Sequence, residues 1–143
     1  RLDVTLSAEA VHGIAFGGTA PDGPVPRSVA PLLSRLKKQL REFFAGSRSG
    51  FDVPLDPQPP GTEFQARVWE ALRQVPAGQV LSYADLAEWA GSPGAARAAG
   101  SACGATRIPI LIPCHRAVAK GGLGGFGGGL AVKKQLLRLE RGF

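Results

Sequence analysis

The sequence predicts an α+β fold in which a small N-terminal lobe with a short antiparallel sheet precedes a mostly helical C-terminal lobe containing a helix-turn-helix. Three observations carry this expectation. Two short apolar stretches joined by a polar turn open the chain, apolar residues then recur at helical spacing, and a proline-rich linker separates the two regions. The linker places the N-terminal structural lobe at 1–56 and the C-terminal domain at 57–143.

The elements follow in order. Leu2 to Leu6 alternates apolar and polar, and Val11 to Phe16 is a second apolar stretch, so two strands with a turn over Ser7 to Ala10 are expected. Pro21, Pro24, Pro26 and Pro31 make a stiff loop before a helix whose core stripe is Leu32, Leu36, Leu40, Phe43 and Phe44, ended by Gly46. Phe51 to Leu55 reads as a third strand. Asp56-Pro57-Gln58-Pro59-Pro60-Gly61 suits neither a helix nor a central strand.

Thr62 and Gln65 form a capping box ahead of a helix with the stripe Phe64, Val68, Leu72 and Val75, which ends before Pro76. Ser82 and Asp85 repeat the capping pattern for a short helix, Tyr83 to Ala90, stopped by Gly91. Ser92 can then cap, and Pro93 can open, a further helix to about Thr106. Helix, tight turn, helix suits a DNA-binding helix-turn-helix, though structural helix pairs share the pattern. Small residues surround one long one, Arg97, in the second helix. That composition fits tight packing, or close approach to a groove of DNA with Arg97 projecting. The last helix, Leu130 to Arg141, is read as burying Val132, Leu136 and Leu137.

Composition bounds the function. Of 143 residues, 44% are hydrophobic and 20% charged, as in ordinary globular proteins. No apolar run reaches the roughly 18 residues a membrane span needs, and no charged-then-apolar leader opens the sequence, so a cytoplasmic location is expected. Residues 1–60 carry seven Lys and Arg against six Asp and Glu, whereas residues 61–143 carry ten against five. The second part therefore attracts polyanions, although a solvated surface has the same balance. Cys103 and Cys114 are read as reduced thiols, with a redox pair as the alternative. His12, Cys103, Cys114 and His115 lack metal-ligand spacing, so no metal and no cofactor are expected. Asn and Met are absent and Arg outnumbers Lys twelve to five, which fits heat adaptation or a GC-rich genome equally.

The chemistry gathers near the end of the chain. Ile108-Pro109-Ile110-Leu111-Ile112 is a buried run that delivers Pro113-Cys114-His115-Arg116. His115 and Arg116 are expected to favour the attacking thiolate of Cys114. Seven glycines within Gly121 to Gly129 can wrap a flat ligand around Phe126, or form a linker. Glu140 at a helix C-terminus is electrostatically disfavoured unless it has a specific partner, and His115 is the candidate.

Gly-Thr-x-Phe-Gln-x-x-Val-Trp at Gly61 to Trp69, Ser82-Tyr83-x-x-Leu-Ala, Ala96-Arg97-Ala98, Ile-Pro-Cys-His-Arg ending at Arg116, and Gly-Gly-Leu-x-x-Lys through Leu-Glu140 resemble, in order and spacing, the O6-alkylguanine-DNA alkyltransferase family. The resemblance covers Gly61 to Glu140. It implies a ribonuclease-H-like N-terminal lobe and repair of O6-alkylguanine, and of O4-alkylthymine, by one irreversible transfer to Cys114 after base flipping. It further implies that His115 is the base through a water, oriented by Glu140. Arg97 replaces the extruded nucleotide, with Ala96, Gly100 and Ser101 against the groove. Tyr83 rotates the phosphate and donates a proton. Carbonyls of Cys114 and Ala117 bind the guanine amino group, and the Gly127 N–H faces O6 in a pocket completed by Phe126 and Gly128. The implied partner is double-stranded DNA containing alkylated guanine, met by a monomer beside the nucleoid of a prokaryote. This sequence departs from the family pattern at Thr106 (Asn, the hinge), Arg107 (Pro), Ala117 (Val or Ile) and Phe126 (Tyr).

Overall fold

The computed structural model describes residues 1–18, 23–57 and 59–141; Pro21 and Gln58 of the two proline-rich segments lie outside them. Among these residues, five α-helices accompany a two-stranded antiparallel sheet and a short parallel pair. Strands β1 (Leu2–Leu6) and β2 (Val11–Phe16) pair from Leu2 opposite Phe16 to Leu6 opposite Val11, with a bulge between Thr5 and Leu6. The turn between them closes on the Ser7 N–H to Ala10 carbonyl bond of 3.0 Å.

Phe51 to Leu55 does not form the expected third strand. Only Leu55 bridges to Val11, where the Val11 N–H donates to the Pro54 carbonyl at 2.9 Å. Pro54 itself has no N–H to continue a ladder. Helix α1 (Ala30–Phe44) buries Leu32, Leu36 and Phe43, but Phe44 is half exposed and Gln39 takes a buried place instead. Gln39 is satisfied there: its side-chain carbonyl accepts the Asp52 N–H at 3.1 Å and its amide donates to the Asp52 carboxylate.

Helix α2 (Glu63–Arg73) begins as the sequence dictates. The Thr62 hydroxyl accepts the Gln65 N–H at 3.1 Å and the Gln65 side chain accepts the Thr62 N–H at 2.9 Å, a cap that stabilises the helix by about 1 kcal/mol. Its buried face is Val68, Trp69, Ala71 and Leu72, and the Trp69 indole donates to the Ala102 carbonyl at 2.8 Å. Strand β3 (Leu81–Ser82) leads directly into α3 (Tyr83–Trp89), capped by the Ser82 hydroxyl on the Asp85 N–H at 3.0 Å.

Helix α4 (Ala96–Ala105) starts three residues later than Pro93 and has no side-chain cap. Gly94 stands between, at φ 84°, a left-handed conformation that a helix cannot contain. A 3-10 turn (Cys114–Arg116) runs into β4 (Ala117–Val118), which pairs in parallel with β3. Helix α5 (Leu130–Glu140) buries Lys133, Leu136 and Glu140, with Val132 and Leu137 only partly covered.

One core spans the linker: Val11, Leu36 and Phe43 belong to the same buried cluster as Val68, Leu72, Leu86 and Ile112. Fully burying each of these aliphatic and aromatic side chains contributes about 1.5–3 kcal/mol. A backbone bond from the Ile14 N–H to the Arg107 carbonyl, 2.8 Å, also ties β2 to the segment leaving α4. No helix of the described residues is long and apolar enough to cross a membrane.

Candidate active site

The β3–β4 pairing creates the site. Leu81 lies opposite Ala117 and Ser82 opposite Val118, so Tyr83, next after Ser82, is held beside the turn that begins at Cys114. That turn is delivered by a tight bend in which the Ile112 N–H reaches back to the Ile108 carbonyl at 3.0 Å. Ile110 in this bend has φ 75°, a conformation that costs a β-branched residue on the order of 1–3 kcal/mol. The Cys114 N–H is fixed on the Ile112 carbonyl at 2.7 Å.

A cavity of about 420 Å³ opens over Cys114 between α3, α4 and the glycine-rich loop. Tyr83, Ala96, Arg97, Gly100, Ser101, Phe126 and Gly127 line it, as does Cys103. Arg97 and Ser101 are exposed, whereas Cys114 is buried at its floor. The size falls within the range of small-molecule sites. Gly124, next to the lining residue Gly125, packs on Tyr83 at φ 72°, where a Cβ would stand 2.6 Å from the Tyr83 hydroxyl, so both backbone and space require glycine.

Behind the thiol lies a buried charge cluster. His115 Nε2 is 2.6 Å from Glu140 Oε1, and neither side chain is reached by solvent. The Arg116 Nε donates to Glu140 Oε2 at 2.9 Å, its terminal nitrogen donates to the same oxygen, and its other terminal nitrogen donates to the Val75 carbonyl at 2.7 Å. Burial alone would raise the Glu140 carboxyl, but hydrogen bonds from His115 and Arg116 outweigh it and hold Glu140 below its ordinary value. Burial lowers the His115 pKa, with Glu140 opposing, so the imidazole is neutral at neutral pH. Its Nδ1 is buried with no protein partner.

The expectation that His115 and Arg116 favour the thiolate is not met. Burial pushes the Cys114 thiol up to about 11 and Cys103 up to about 12. Arg116 is spent on Glu140 and His115 is uncharged, so the cation that pulls both thiols down is Lys133. Lys133 is wholly buried and donates to the carbonyls of Ala117 at 2.7 Å, Leu123 and Gly125 at 3.2 Å, pinning the glycine-rich loop to β4. Its ammonium also stands 5.8 Å from the centre of the Tyr83 ring. Burial, then the nearby thiols, raise the Tyr83 hydroxyl, which therefore stays protonated.

The structure thus brings together Tyr83, Ala96, Arg97, Gly100, Ser101, Cys114, Phe126 and Gly127, with His115 and Glu140 behind them. Ala117 is fully buried under the cavity rather than in its wall. Thr106 caps the end of α4, its hydroxyl accepting the Ile108 N–H at 3.3 Å, and with Gly128 it lines a separate space. Sequence reasoning missed Lys133, the anchoring role of Arg116, and Cys103 as a wall of the cavity. The signal for Lys133 was present: it shares the i, i+3, i+7 face of α5 with Leu136 and Glu140. Among the described residues, no cluster of His, Cys, Asp and Glu could hold a metal ion.

Known proteins resemble this chain in sequence and fold. A methylated-DNA–protein-cysteine methyltransferase of Mycolicibacterium paratuberculosis is 51% identical over 105 residues, covering 73% of this chain and 62% of the relative. A constitutive counterpart in Bacillus subtilis is 45% identical over 113 residues, covering 78% and 67%. The matched stretch thus spans about three-fifths of the first relative's length. The crystal structure of Mycobacterium tuberculosis OGT in complex with DNA superposes with a TM-score of 0.85 at 39% identity, covering 98% of this chain and 86% of that one. Residues 63–142 match the family described as 6-O-methylguanine DNA methyltransferase, DNA binding domain, and the chain belongs to that family.

Proposed function

We propose that this chain repairs O6-alkylguanine, and O4-alkylthymine, in double-stranded DNA by a single irreversible transfer of the alkyl group to Cys114. The observation that carries the reading is the floor of the cavity: a thiol beside a neutral, fully buried His115 whose Nε2 is fixed on Glu140 and whose Nδ1 has no protein partner. The solved relative with DNA and the basic second half of the chain support DNA as the partner.

In this reading α3, the turn and α4 act as a helix-turn-helix on the minor groove, where the small residues Ala96, Gly100 and Ser101 allow close approach. Arg97 fills the gap of the extruded nucleotide. Residues 1–56 form the structural, ribonuclease-H-like lobe and residues 57–143 carry binding and chemistry. The protein acts as a monomer in the cytoplasm.

A thiol near pKa 11 is almost wholly protonated at neutral pH. His115 Nδ1 therefore takes the Cys114 proton through a water as Sγ attacks. The Sγ–carbon bond forms, the carbon–O6 bond breaks, and its electron pair leaves with the base. Tyr83 supplies a proton to the guanine, balanced by the one taken at His115. The Gly127 N–H faces O6 and the Cys114 carbonyl meets the amino group, while the buried Ala117 carbonyl, held by Lys133, supports the floor beneath them. Thr106 is the hinge between α4 and the reacting turn. The thioether has no ready hydrolysis route, so each molecule acts once.

Intact mass after mixing with duplex O6-methylguanine tests this. One added methyl group, mapped to the Cys114 peptide and lost in Cys114→Ser, is the expected result. Multiple turnovers would indicate a cysteine hydrolase, and binding without modification would indicate a lesion sensor. Either would overturn the proposal.

A further inference from the structure

Charge in the N-terminal lobe is segregated. Among its described residues, Asp3 meets Arg1, Asp52 meets Arg35 and Gln39, Asp56 meets His12 and Glu42 meets Arg48, while Glu9 sits in the turn before β2. Lys37, Lys38 and Arg41 of α1 are exposed, and no described residue pairs with them. At 3.6 residues per turn these cations fall within about 100° of the helix circumference and about 6 Å of its axis, on the side opposite Leu32, Leu36 and Phe43. Ser34 and Ala45 complete this exposed stripe, and the flanking Arg35 and Glu42 are already paired.

Like charges three and four residues apart weaken a helix. Lys37 with Arg41, and Lys38 with Arg41, are such pairs, so α1 is held against its own repulsion by Leu36 and Phe43 in the core. An anion laid along the stripe relieves it. The stripe also points away from the core to which Cys114 belongs, and no residue of α1 lines the cavity over that thiol. A duplex that receives Arg97 is therefore met by α3 and α4, and the stripe is left open to a different segment.

We propose that the outer face of α1 is a second, sequence-independent contact for duplex DNA, so that one molecule holds two duplex segments at once, one on α4 and one on α1. The proposal rests on DNA as the partner read above. It adds a route between segments, because the chain can grip a new duplex by α1 before α4 leaves the old one. Duplex DNA suits the stripe because it carries one charge per ~1.7 Å of its axis, so cations spread over about one helical turn find phosphates in any register. With only about three phosphates neutralised, this contact is weak and salt-dependent.

The test holds the full chain on one duplex and offers it a second. Cys114→Ser, which leaves the lesion in place, is loaded on a short immobilised duplex containing O6-methylguanine. At about 50 mM salt, where phosphate contacts are strong, it should retain a second, fluorescent duplex without a lesion. In that background, Lys37→Gln, Lys38→Gln and Arg41→Gln together should cut retention by about tenfold or more and remove about 2–3 from the slope of log affinity against log salt. The charge-preserving set Lys37→Arg, Lys38→Arg and Arg41→Lys should keep it. With Cys114 intact, the glutamine set should transfer methyl from a single saturating duplex at an unchanged rate and melt no lower than the unaltered chain, since it removes repulsion. Sedimentation should find one protein with two duplexes. Two proteins with two duplexes would assign the bridge to a second copy of the chain, and retention changed by less than about twofold in the glutamine set would make the stripe a solvated face. Either overturns the proposal. Failure of the loaded chain to hold the first duplex would instead remove the DNA reading, and this proposal with it.

Discussion

The carboxylate of Glu140 and the imidazole of His115 meet at 2.6 Å with both side chains out of reach of solvent. A buried carboxylate persists there because Arg116 neutralises it from the other side. The orienting group and its counter-charge can therefore be separated by mutation. Glu140→Gln keeps an acceptor for His115 but leaves the Arg116 guanidinium buried and unpaired, at a stability cost of about 3–5 kcal/mol in urea unfolding. Adding Arg116→Met should restore much of that stability without restoring the transfer rate. A double variant as unstable as the single one would show that Arg116 contributes mainly through its bond to the Val75 carbonyl.

The same cluster sets the response to acid. His115 and Glu140 both have folded-state pKa values below their unfolded ones, so the unfolded chain binds more protons as pH falls. Their contribution is complete above the unfolded His value of about 6.5 and is lost downward, first through His115 and then as Glu140 protonates. Melting temperature should hold steady from about pH 9 to 7.5 and drop toward about pH 5. The transfer rate should stay level through about pH 6.5 and fall only where His115 gains a proton. A rate that instead climbs tenfold per pH unit through neutrality would mean that preformed thiolate, not His115, governs the reaction.

Arg97 is exposed at the mouth of the cavity and does not share the buried cluster. Arg97→Ala should slow transfer from duplex O6-methylguanine by about tenfold or more, while reaction with free O6-benzylguanine changes little, because only the duplex has a gap to fill. Equal loss on both would assign Arg97 to the pocket. Duplex affinity should also weaken with added salt, as phosphate contacts release counterions.

Lys133 holds three carbonyls from two segments with one ammonium. Lys133→Met matches its length but leaves those acceptors unpaired, so urea unfolding should show a loss of about 3 kcal/mol. Removing the cation also raises the Cys114 thiol further, so transfer at neutral pH should slow more than the stability loss explains. Hydrogen exchange at Gly121 to Gly127 would report whether the loop has been released; unchanged protection there would contradict the anchoring role.

Local signals were legible where they rest on the chain's own chemistry. The Thr62–Gln65 cap, the turn at Ser7 to Ala10 and the Glu140–His115 pairing are all readable from residue type and spacing. Ser92-Pro93 misled because these residues close a turn instead, with the Ala95 N–H donating to the Ser92 carbonyl at 3.1 Å and Gly94 left-handed, which delays α4 to Ala96. The thiolate expectation failed for a related reason. Adjacency along the chain says nothing of direction, and Arg116 turns away from Cys114 toward Glu140 and Val75. The parallel pairing of Leu81 and Ser82 with Ala117 and Val118 involves two residues from each strand, too short to leave a periodic trace.

The bond from the Trp69 indole to the Ala102 carbonyl gives the molecule a built-in optical probe. Of its two tryptophans, Trp69 is 4% exposed against α4, while Trp89 is 55% exposed. Iodide should quench Trp89 and spare Trp69, leaving an emission that reports one junction: the seat of the helix that carries Arg97. A red shift of that protected signal on mixing with DNA would record α4 lifting from α2, and an unchanged spectrum would record rigid docking, with no dye attached to the protein.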